Sequence, residues 1–422
     1  MNTTRQDIAE RRPADRDAGS MWRRRLLAAL GDLHGGTIVI HDGHGASLLG
    51  HADGATPLRA TLHVHDDAFY RRVALGGSVG AGEAYYDGLW DCDDLVALVR
   101  LLVRNRDRLD AMETGPARAT AWLLRGWEAL RPNTRDGSRR NISAHYDLGN
   151  PLFETFLSDD LMYSSAIYAD PAETLEQASF RKLDTLCRKL KLGPDDHVIE
   201  IGTGWGGFAL HAASRHGCRV TTTTLSAEQA ALARTRIEAA GLTDRVTVLL
   251  DDYRDLSGQY DRLVSIEMVE AIGAAQLPTY FAQLSRLLKP EGLAVIQAIT
   301  IEDHRYRRAL REVDFIKRHV FPGSFIPSTS ALLDAMGRHS DLGLLHLEDI
   351  GDSYALTLRE WRRRFEAARG RVIELGYDER FIRLWRFYLC YCEGGFLERS
   401  IGNVQMLFAR PGYRRRMEGD TA

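Results

Sequence analysis

The sequence predicts an α/β fold whose larger part is a Rossmann-like sheet of parallel strands covered by helices. Two observations support this prediction: short apolar runs alternate with amphipathic segments, and a glycine-rich loop follows the first run. Predicted strands occupy residues 197–201, 219–225, 245–250, 260–266 and 292–299, and predicted helices occupy 208–216, 227–240 and 277–288. Such alternation is typical of a parallel sheet that is covered on both faces.

A smaller α+β domain is predicted over residues 21–127. Residues 37–40 and 60–64 have the composition of short strands, and residues 94–109 carry apolar side chains at helical spacing. Arginines mixed with Pro, Gly, Asn and Ser indicate a linker over 128–140. The remaining boundaries place a disordered polar segment at 1–20, the main domain at 141–410 and a basic tail at 411–422. The linker is either solvated or in contact with an anionic surface. The basic tail is either solvated or in contact with anionic lipid headgroups.

Composition narrows the class of protein. The 422 residues include 55 basic and 58 acidic side chains, so the net charge of −3 gives no overall attraction to nucleic acid. We see neither a secretory signal nor the roughly 18 consecutive apolar residues that span a bilayer, and therefore expect a cytoplasmic protein that is at most peripheral on the inner face of a membrane. The five cysteines have no disulfide or metal-binding spacing, which predicts a reducing compartment and no metal.

The glycine loop predicts a nucleotide-type ligand. Gly202, Gly204 and Gly207 follow a strand and open a helix, which also fits a dinucleotide motif. A dinucleotide site expects an acid at the end of the next strand to bind the ribose hydroxyl. That strand ends at Thr224 and Leu225, and the first acid is Glu228, already inside the next helix. The loop therefore favours S-adenosylmethionine over another nucleotide or a purely structural turn.

Several motifs together resemble the cyclopropane fatty acid synthase family, which includes the mycolic acid cyclopropane synthases. They are residues 145–150 (HYDLGN), 162–166 (MYSSA), 200–207 (EIGTGWGG), 224–229 (TLSAEQ), 252–255 (DYRD), 265–270 (SIEMVE), 321–323 (FPG) and 327–328 (PS). The match spans about residues 141–410. In addition, residues 77–90 resemble the accessory domain of the members that act on phospholipids.

The resemblance implies an S-adenosylmethionine methyltransferase sheet with a helical lid. It implies methyl transfer to the double bond of an unsaturated phospholipid acyl chain at a membrane surface, through a carbocation. Loss of a proton from the new methyl group closes a cyclopropane ring, which is our leading expectation. Loss elsewhere, or hydride addition, gives a methyl-alkene or a methyl-branched chain. The accessory domain is expected to present lipid, to form a homodimer, or both.

The resemblance also implies individual site residues. The expected cofactor contacts are Tyr163, Ser164, Gly202, Gly204, Thr224, Leu225, Gln229, Asp252 and Tyr253. Tyr146 is expected to be catalytic near the reacting carbons, and Glu270 matches a glutamate that holds a bicarbonate ion, the family's presumed base. Three further residues, Tyr354, Ser165 and Gln297, are expected to be catalytic residues of that same site. Glu267 is expected to be a supporting or solvated residue.

The chain departs from the family at the anion site. Ser165 stands where members usually have Cys, Gln297 where they have His at the end of the fifth strand, and Ala271 where they have His after the motif glutamate. Ser and Gln can still donate hydrogen bonds to an anion. The identity of the base, and with it the choice between ring and branch, stays open. Methylation of a small soluble metabolite and a non-catalytic lipid-binding module are the alternatives from other classes.

Overall fold

A computed structural model describes residues 13–112 and 148–414. The predicted linker at 128–140, Tyr146 and most of the basic tail lie outside these residues. The chain forms two compact units, one of Met1–Leu123 with Glu379–Phe387 and one of Leu124–Asp378 with Tyr388–Ala422. Among the described residues, no helix is both long enough and apolar enough to cross a membrane.

The smaller unit is a four-stranded sheet with helices. Its elements in chain order are α1 (Pro13–Gly31), β1 (Gly36–Asp42), β2 (Gly45–His51), β3 (Leu58–Val64), α2 (Ala68–Tyr86), β4 (Trp90–Cys92), α3 (Leu95–Arg104) and α4 (Arg106–Met112). The strand order is β2-β1-β3-β4, with β1 and β3 parallel and the outer pairs antiparallel. The prediction of disorder over 1–20 is wrong from Pro13 onward, because α1 begins there.

The helix predicted over 94–109 is divided at Asn105. Asp94 caps the start of α3 by accepting a hydrogen bond from the Ala97 N–H. The buried Asn105 amide donates to the carbonyls of His34 and Leu101 and accepts from the His34 N–H. Because Asn105 side-chain bonds replace helical backbone bonds at this point, the chain ends α3 and restarts as α4.

The larger unit is built around a seven-stranded sheet. Its strands are β5 (His197–Ile201), β6 (Arg219–Thr223), β7 (Val246–Leu249), β8 (Tyr260–Ile266), β9 (Leu288–Ile301), β10 (Gly343–Asp349) and β11 (Ile401–Ala409), in the order β10-β11-β9-β8-β5-β6-β7. The five predicted strands are present and mutually parallel. Two strands that were not predicted extend the sheet: β11 runs antiparallel to β9, and β10 runs antiparallel to β11.

Five helices pack on this sheet: α6 (Leu175–Leu190), α7 (Gly207–His216), α8 (Ala227–Ala239), α9 (Leu277–Leu287) and α12 (Thr329–His339). The remaining helices from this part of the chain are α5 (Asn150–Phe153), α10 (Asp303–Ala309), α11 (Phe315–His319), α13 (Gly351–Ala367), α14 (Arg369–Glu374) and α15 (Glu379–Leu397). Short 3₁₀ helices follow β7 and β8 at Tyr253–Asp255, Val269–Ala271 and Ala274–Gln276.

Alternating side chains of the central strand anchor two apolar cores. Ile199 packs in a core with Leu284 of α9, whereas its neighbour Val198 packs in another core with Leu186 of α6 and Phe208 of α7. Successive residues of a strand point to opposite faces of a sheet, so an uninterrupted apolar strand requires cover on both sides. The carboxyl ends of β5, β6 and β8 are thereby brought side by side, which is where α/β sheets of this type bind ligands.

Candidate active site

The glycine loop has a backbone that other residues adopt with difficulty. Gly202 and Gly204 have φ values of 102° and 51°. The N–H groups of Gly202 and Thr203 both donate to the Thr223 carbonyl, at 3.1 and 2.9 Å, which ties the loop to the end of β6. A Cβ on Gly204 would meet no atom within 4 Å. The loop is therefore held rigidly while its surface beside Gly204 stays open to a ligand.

The end of β6 presents hydroxyl and amide groups and no acid. The Thr224 hydroxyl donates to Oε1 of Gln229 at 2.8 Å, and Ser226 caps α8 by accepting from the Gln229 N–H at 3.2 Å. Thr224 and Gln229 are both buried. The predicted cofactor contacts Thr224, Leu225 and Gln229 thus lie next to the loop, because β5 and β6 end in register at Ile201 and Thr223.

The turn after β7 positions Asp252 and Tyr253. Both carboxylate oxygens of Asp252 accept from Arg254, at 2.8 and 2.6 Å, and Asp252 also caps the short helix that follows. The Tyr253 hydroxyl is buried and has no hydrogen-bond partner among the residues described. Burial raises the pKa of Tyr253 to about 12, so the phenol keeps its proton and can donate to a ligand. An unpaired buried donor is therefore available at this predicted cofactor contact.

Tyr163 and Ser164 connect the cofactor side to an aromatic wall. The Tyr163 ring packs against Phe153 and Trp361, with centroids 5.2 Å apart in each case, and its hydroxyl lies 2.8 Å from that of Tyr388. The Ser164 hydroxyl accepts from the buried Lys182 ammonium at 2.9 Å. Burial lowers the pKa of Lys182 to about 8. Lys182 therefore holds the hydroxyl of Ser164, a predicted cofactor contact, in place.

Glu267 is the centre of the site. Its Oε1 accepts from the Ser165 N–H at 3.0 Å, from Gln297 Nε2 at 2.8 Å and from Asn403 Nδ2 at 2.5 Å. Its Oε2 accepts from the Tyr354 hydroxyl at 2.8 Å. Three predicted site residues, Ser165, Gln297 and Tyr354, therefore meet on this one carboxylate.

The backbone at Glu267 is strained. Glu267 has a φ of 50°, in the left-handed region that favours glycine, and it stands directly after β8. Residues held in this region cost of order 1–3 kcal/mol and cluster at functional sites. Both the conformation and the four donors rule out a solvated Glu267.

Glu270 occupies a different position. Its Oε1 accepts from the Ile299 N–H at 2.5 Å, and its Oε2 is buried with no hydrogen-bond partner in the described part of the chain. Burial, together with the charge of Glu267, raises the pKa of Glu270 to about 8. Glu270 is therefore mostly protonated at neutral pH. It does not share the donors of Glu267.

The donors present do not fit a separate bicarbonate ion. The groups expected to hold it at Ser165, Gln297 and Tyr354 already bind the carboxylate of Glu267. The Ser165 hydroxyl donates to the Ala166 carbonyl, and Gln405 donates to Oε1 of Gln297, which fixes the direction of that amide. An anion is thus already in place, supplied by the chain. The sequence prediction had not identified Glu267 or Asn403 as site residues.

Comparison with known proteins agrees with this geometry. A family model described as mycolic acid cyclopropane synthetase matches residues 133–406. The tuberculostearic acid methyltransferase UfaA1 of Mycobacterium tuberculosis is 40% identical over 376 residues, covering 86% of each chain. The cyclopropane-fatty-acyl-phospholipid synthase of Escherichia coli is 37% identical over 360 residues, covering 85% of this chain and 89% of the relative.

Solved structures agree as well. The mycolic acid cyclopropane synthase CmaA1, complexed with SAH and CTAB, superposes with a TM-score of 0.60 at 26% identity and covers 64% of this chain and 98% of its own. The glycine loop, the acid-free end of β6 and the unpaired Tyr253 hydroxyl fit the cofactor that such enzymes use. The chain belongs to the mycolic acid cyclopropane synthetase family and is an S-adenosylmethionine-dependent methyltransferase.

Proposed function

We propose that this enzyme methylates the double bond of an unsaturated acyl chain in a phospholipid, and that Glu267 is the base that removes the final proton. Both similar relatives carry names that refer to fatty acids or fatty-acyl phospholipids. One observation supports the proposal that Glu267 is the base: four hydrogen-bond donors hold its carboxylate at the position where the sequence led us to expect a bound anion.

Bound S-adenosylmethionine supplies an electrophilic methyl group, and its addition to an alkene leaves a positive charge on the neighbouring carbon of the acyl chain. Aromatic faces stabilise a cation without reacting with it. Tyr163 and Trp361, both predominantly apolar and packed together, supply such faces beside the cofactor contacts. The site must also exclude water, because water would capture the cation.

The two oxygens of Glu267 have different tasks. Oε1 is saturated by three donors and anchors the side chain, whereas Oε2 has one donor, Tyr354, and retains a lone pair for a proton. Burial and the charge of Glu267 raise the pKa of Tyr354 well above its ordinary value, so Tyr354 remains a donor throughout. Burial and the charge of Glu267 raise the pKa of Glu270, which favours its protonated form, so we assign the role of base to Glu267.

We propose a methyl-branched alkene as the product. The expected ring closure was tied to a bicarbonate ion, and here a side chain anchored to the backbone stands in its place. Because Glu267 is tethered to the backbone, whereas a bound ion is not, we infer that it removes a different proton of the cation. The 40% identical relative, named for tuberculostearic acid, supports this choice, whereas the 37% identical cyclopropane synthase supports a ring as the second candidate.

The test uses vesicles of unsaturated phospholipid and S-adenosylmethionine with an isotopically labelled methyl group. The released fatty acids are analysed by mass spectrometry before and after dimethyl disulfide treatment, which adds to alkenes and leaves cyclopropanes unchanged. A labelled fatty acid that adds the reagent supports the proposal. A labelled acid that does not react and has the same mass as the methyl-branched alkene establishes the ring, whereas a mass two hydrogens higher indicates a saturated branched chain and overturns the proposed alkene. Absence of label from lipid overturns the acyl substrate.

A further inference from the structure

Three potential metal ligands meet between α6 and α7, outside the site built on Glu267. Cys187 belongs to α6, and His211 and His216 belong to α7. One ligand atom of each lies within 4.8 Å of the other two. Bonds of about 2.0 Å to nitrogen and 2.3 Å to sulfur place tetrahedral ligands roughly 3.3–3.8 Å apart.

The two imidazoles lack the hydrogen bonds that buried polar atoms normally make. Nε2 of His211 and Nε2 of His216 are both buried, and neither has a partner within the described ranges. His211 is only 9% exposed. Two unpaired imidazole nitrogens beside a thiol therefore point to a ligand that accepts electron pairs from all three.

The nature of the ligands selects the metal. Nitrogen and sulfur donors suit zinc and other late transition metals, whereas magnesium and calcium require oxygen. The nearby carboxylate of Asp184 pairs with Arg188 at 2.9 Å and is already engaged.

We propose that Cys187, His211 and His216 form a zinc site, with a thiolate, two imidazoles and a water as ligands. Binding forms one Zn–S and two Zn–N bonds, and the thiol proton is released to solvent. The ion would join α6 to α7, the helix that opens at the glycine loop. The cysteine spacing did not reveal the site, because its ligands come from two helices.

The first experiment titrates Co²⁺, as a spectroscopic substitute for Zn²⁺, into the full chain after treatment with a chelator. We expect one equivalent to produce a thiolate-to-cobalt charge-transfer band. The band should disappear in Cys187→Ser and in His216→Gln, the latter at a half-buried position that tolerates the change. It should persist in Cys218→Ser, a second buried thiol, and in His51→Gln, which disrupts the exposed group of Asp32, His34 and His51.

A second measurement needs no variant. X-ray absorption of the wild-type chain with one equivalent of Zn²⁺ should show one sulfur at about 2.3 Å and nitrogen ligands at about 2.0 Å. A shell of oxygen and nitrogen alone, or a cobalt–thiolate band that survives Cys187→Ser, overturns the proposal. A band lost in Cys218→Ser but kept in Cys187→Ser also overturns it.

Discussion

Replacing Glu267 by glutamine tests the base without removing the contacts that hold the side chain. In Glu267→Gln, the amide oxygen can still accept from Ser165, Gln297 and Asn403, while the amide nitrogen faces the Tyr354 hydroxyl, which can accept. The fold should therefore persist. What is lost is the lone pair on Oε2 that receives the proton.

The expected loss follows from general-base catalysis. A positioned base contributes about 10²–10⁴-fold to a rate, equivalent to roughly 2.7–5.5 kcal/mol of barrier. We expect kcat for methyl transfer to vesicle lipid to fall within that range, while the Kd for S-adenosylmethionine, measured by calorimetry, changes by less than about tenfold.

Glu291→Gln makes the same chemical change at an exposed residue at the start of β9 and serves as the matched control. Its kcat should equal that of the wild type. The role of Glu267 as the base is refuted if Glu267→Gln retains more than about a tenth of wild-type kcat with intact cofactor binding.

Three further predictions concern other residues. Tyr354→Phe removes the donor to Oε2 of Glu267, and kcat in the vesicle assay should fall roughly 10-fold or more. This loss is equivalent to one charge-assisted hydrogen bond of about 1.5–3 kcal/mol. An unchanged kcat would contradict the role of Tyr354 as a donor to Glu267. Between the ordinary pKa of glutamate and about 8, Glu270 holds a proton in the folded enzyme but not in the unfolded chain, so its contribution to the free energy of unfolding is lost as pH rises through about 8. In urea unfolding, Glu270→Gln should not show this pH-dependent decline, and equal pH profiles for the variant and the wild type would disprove the prediction. Asn105→Ala leaves the His34 backbone groups unpaired and should cost about 2–4 kcal/mol in urea unfolding, with a loss below 1 kcal/mol as the contrary result.

The sequence was sufficient for the parallel half of the larger sheet. Runs such as 197–201 and 260–266 are apolar because both faces are covered, and the glycine loop falls where a strand meets a helix. The absence of an acidic residue at the end of β6 also correctly favoured S-adenosylmethionine over a dinucleotide. These features are local, so the order of residues along the chain reveals them.

The antiparallel strands were missed for a physical reason. In β11 the polar residues Asn403 and Gln405 are fully buried and interrupt the apolar pattern that identifies a strand. They are polar because they serve the site: Asn403 binds Glu267, and Gln405 orients Gln297. In β10 every residue is exposed, and its leucines at 344, 345 and 347 fall on both faces of the strand, so apolar and polar residues do not alternate cleanly.

The catalytic carboxylate was also missed for a physical reason. Glu267 and Glu270 are three residues apart, and motif position favoured Glu270. Only the left-handed backbone of Glu267 and the long-range donors Ser165, Tyr354 and Asn403 distinguish the two carboxylates. Neither property can be read from local sequence. The structure does bring the predicted site residues Ser165, Gln297 and Tyr354 together, on the carboxylate of Glu267.

The central claim is that Glu267 replaces a bound anion, and its most direct test is the response of methyl transfer to bicarbonate. In buffer freed of carbon dioxide, the wild-type rate should not change when bicarbonate is added. Glu267→Gly suits the left-handed backbone and leaves the donors of Ser165, Gln297 and Tyr354 without their carboxylate. Its low rate should rise with added bicarbonate and not with chloride. A requirement of the wild-type enzyme for bicarbonate would contradict the proposal that Glu267 takes the place of the anion.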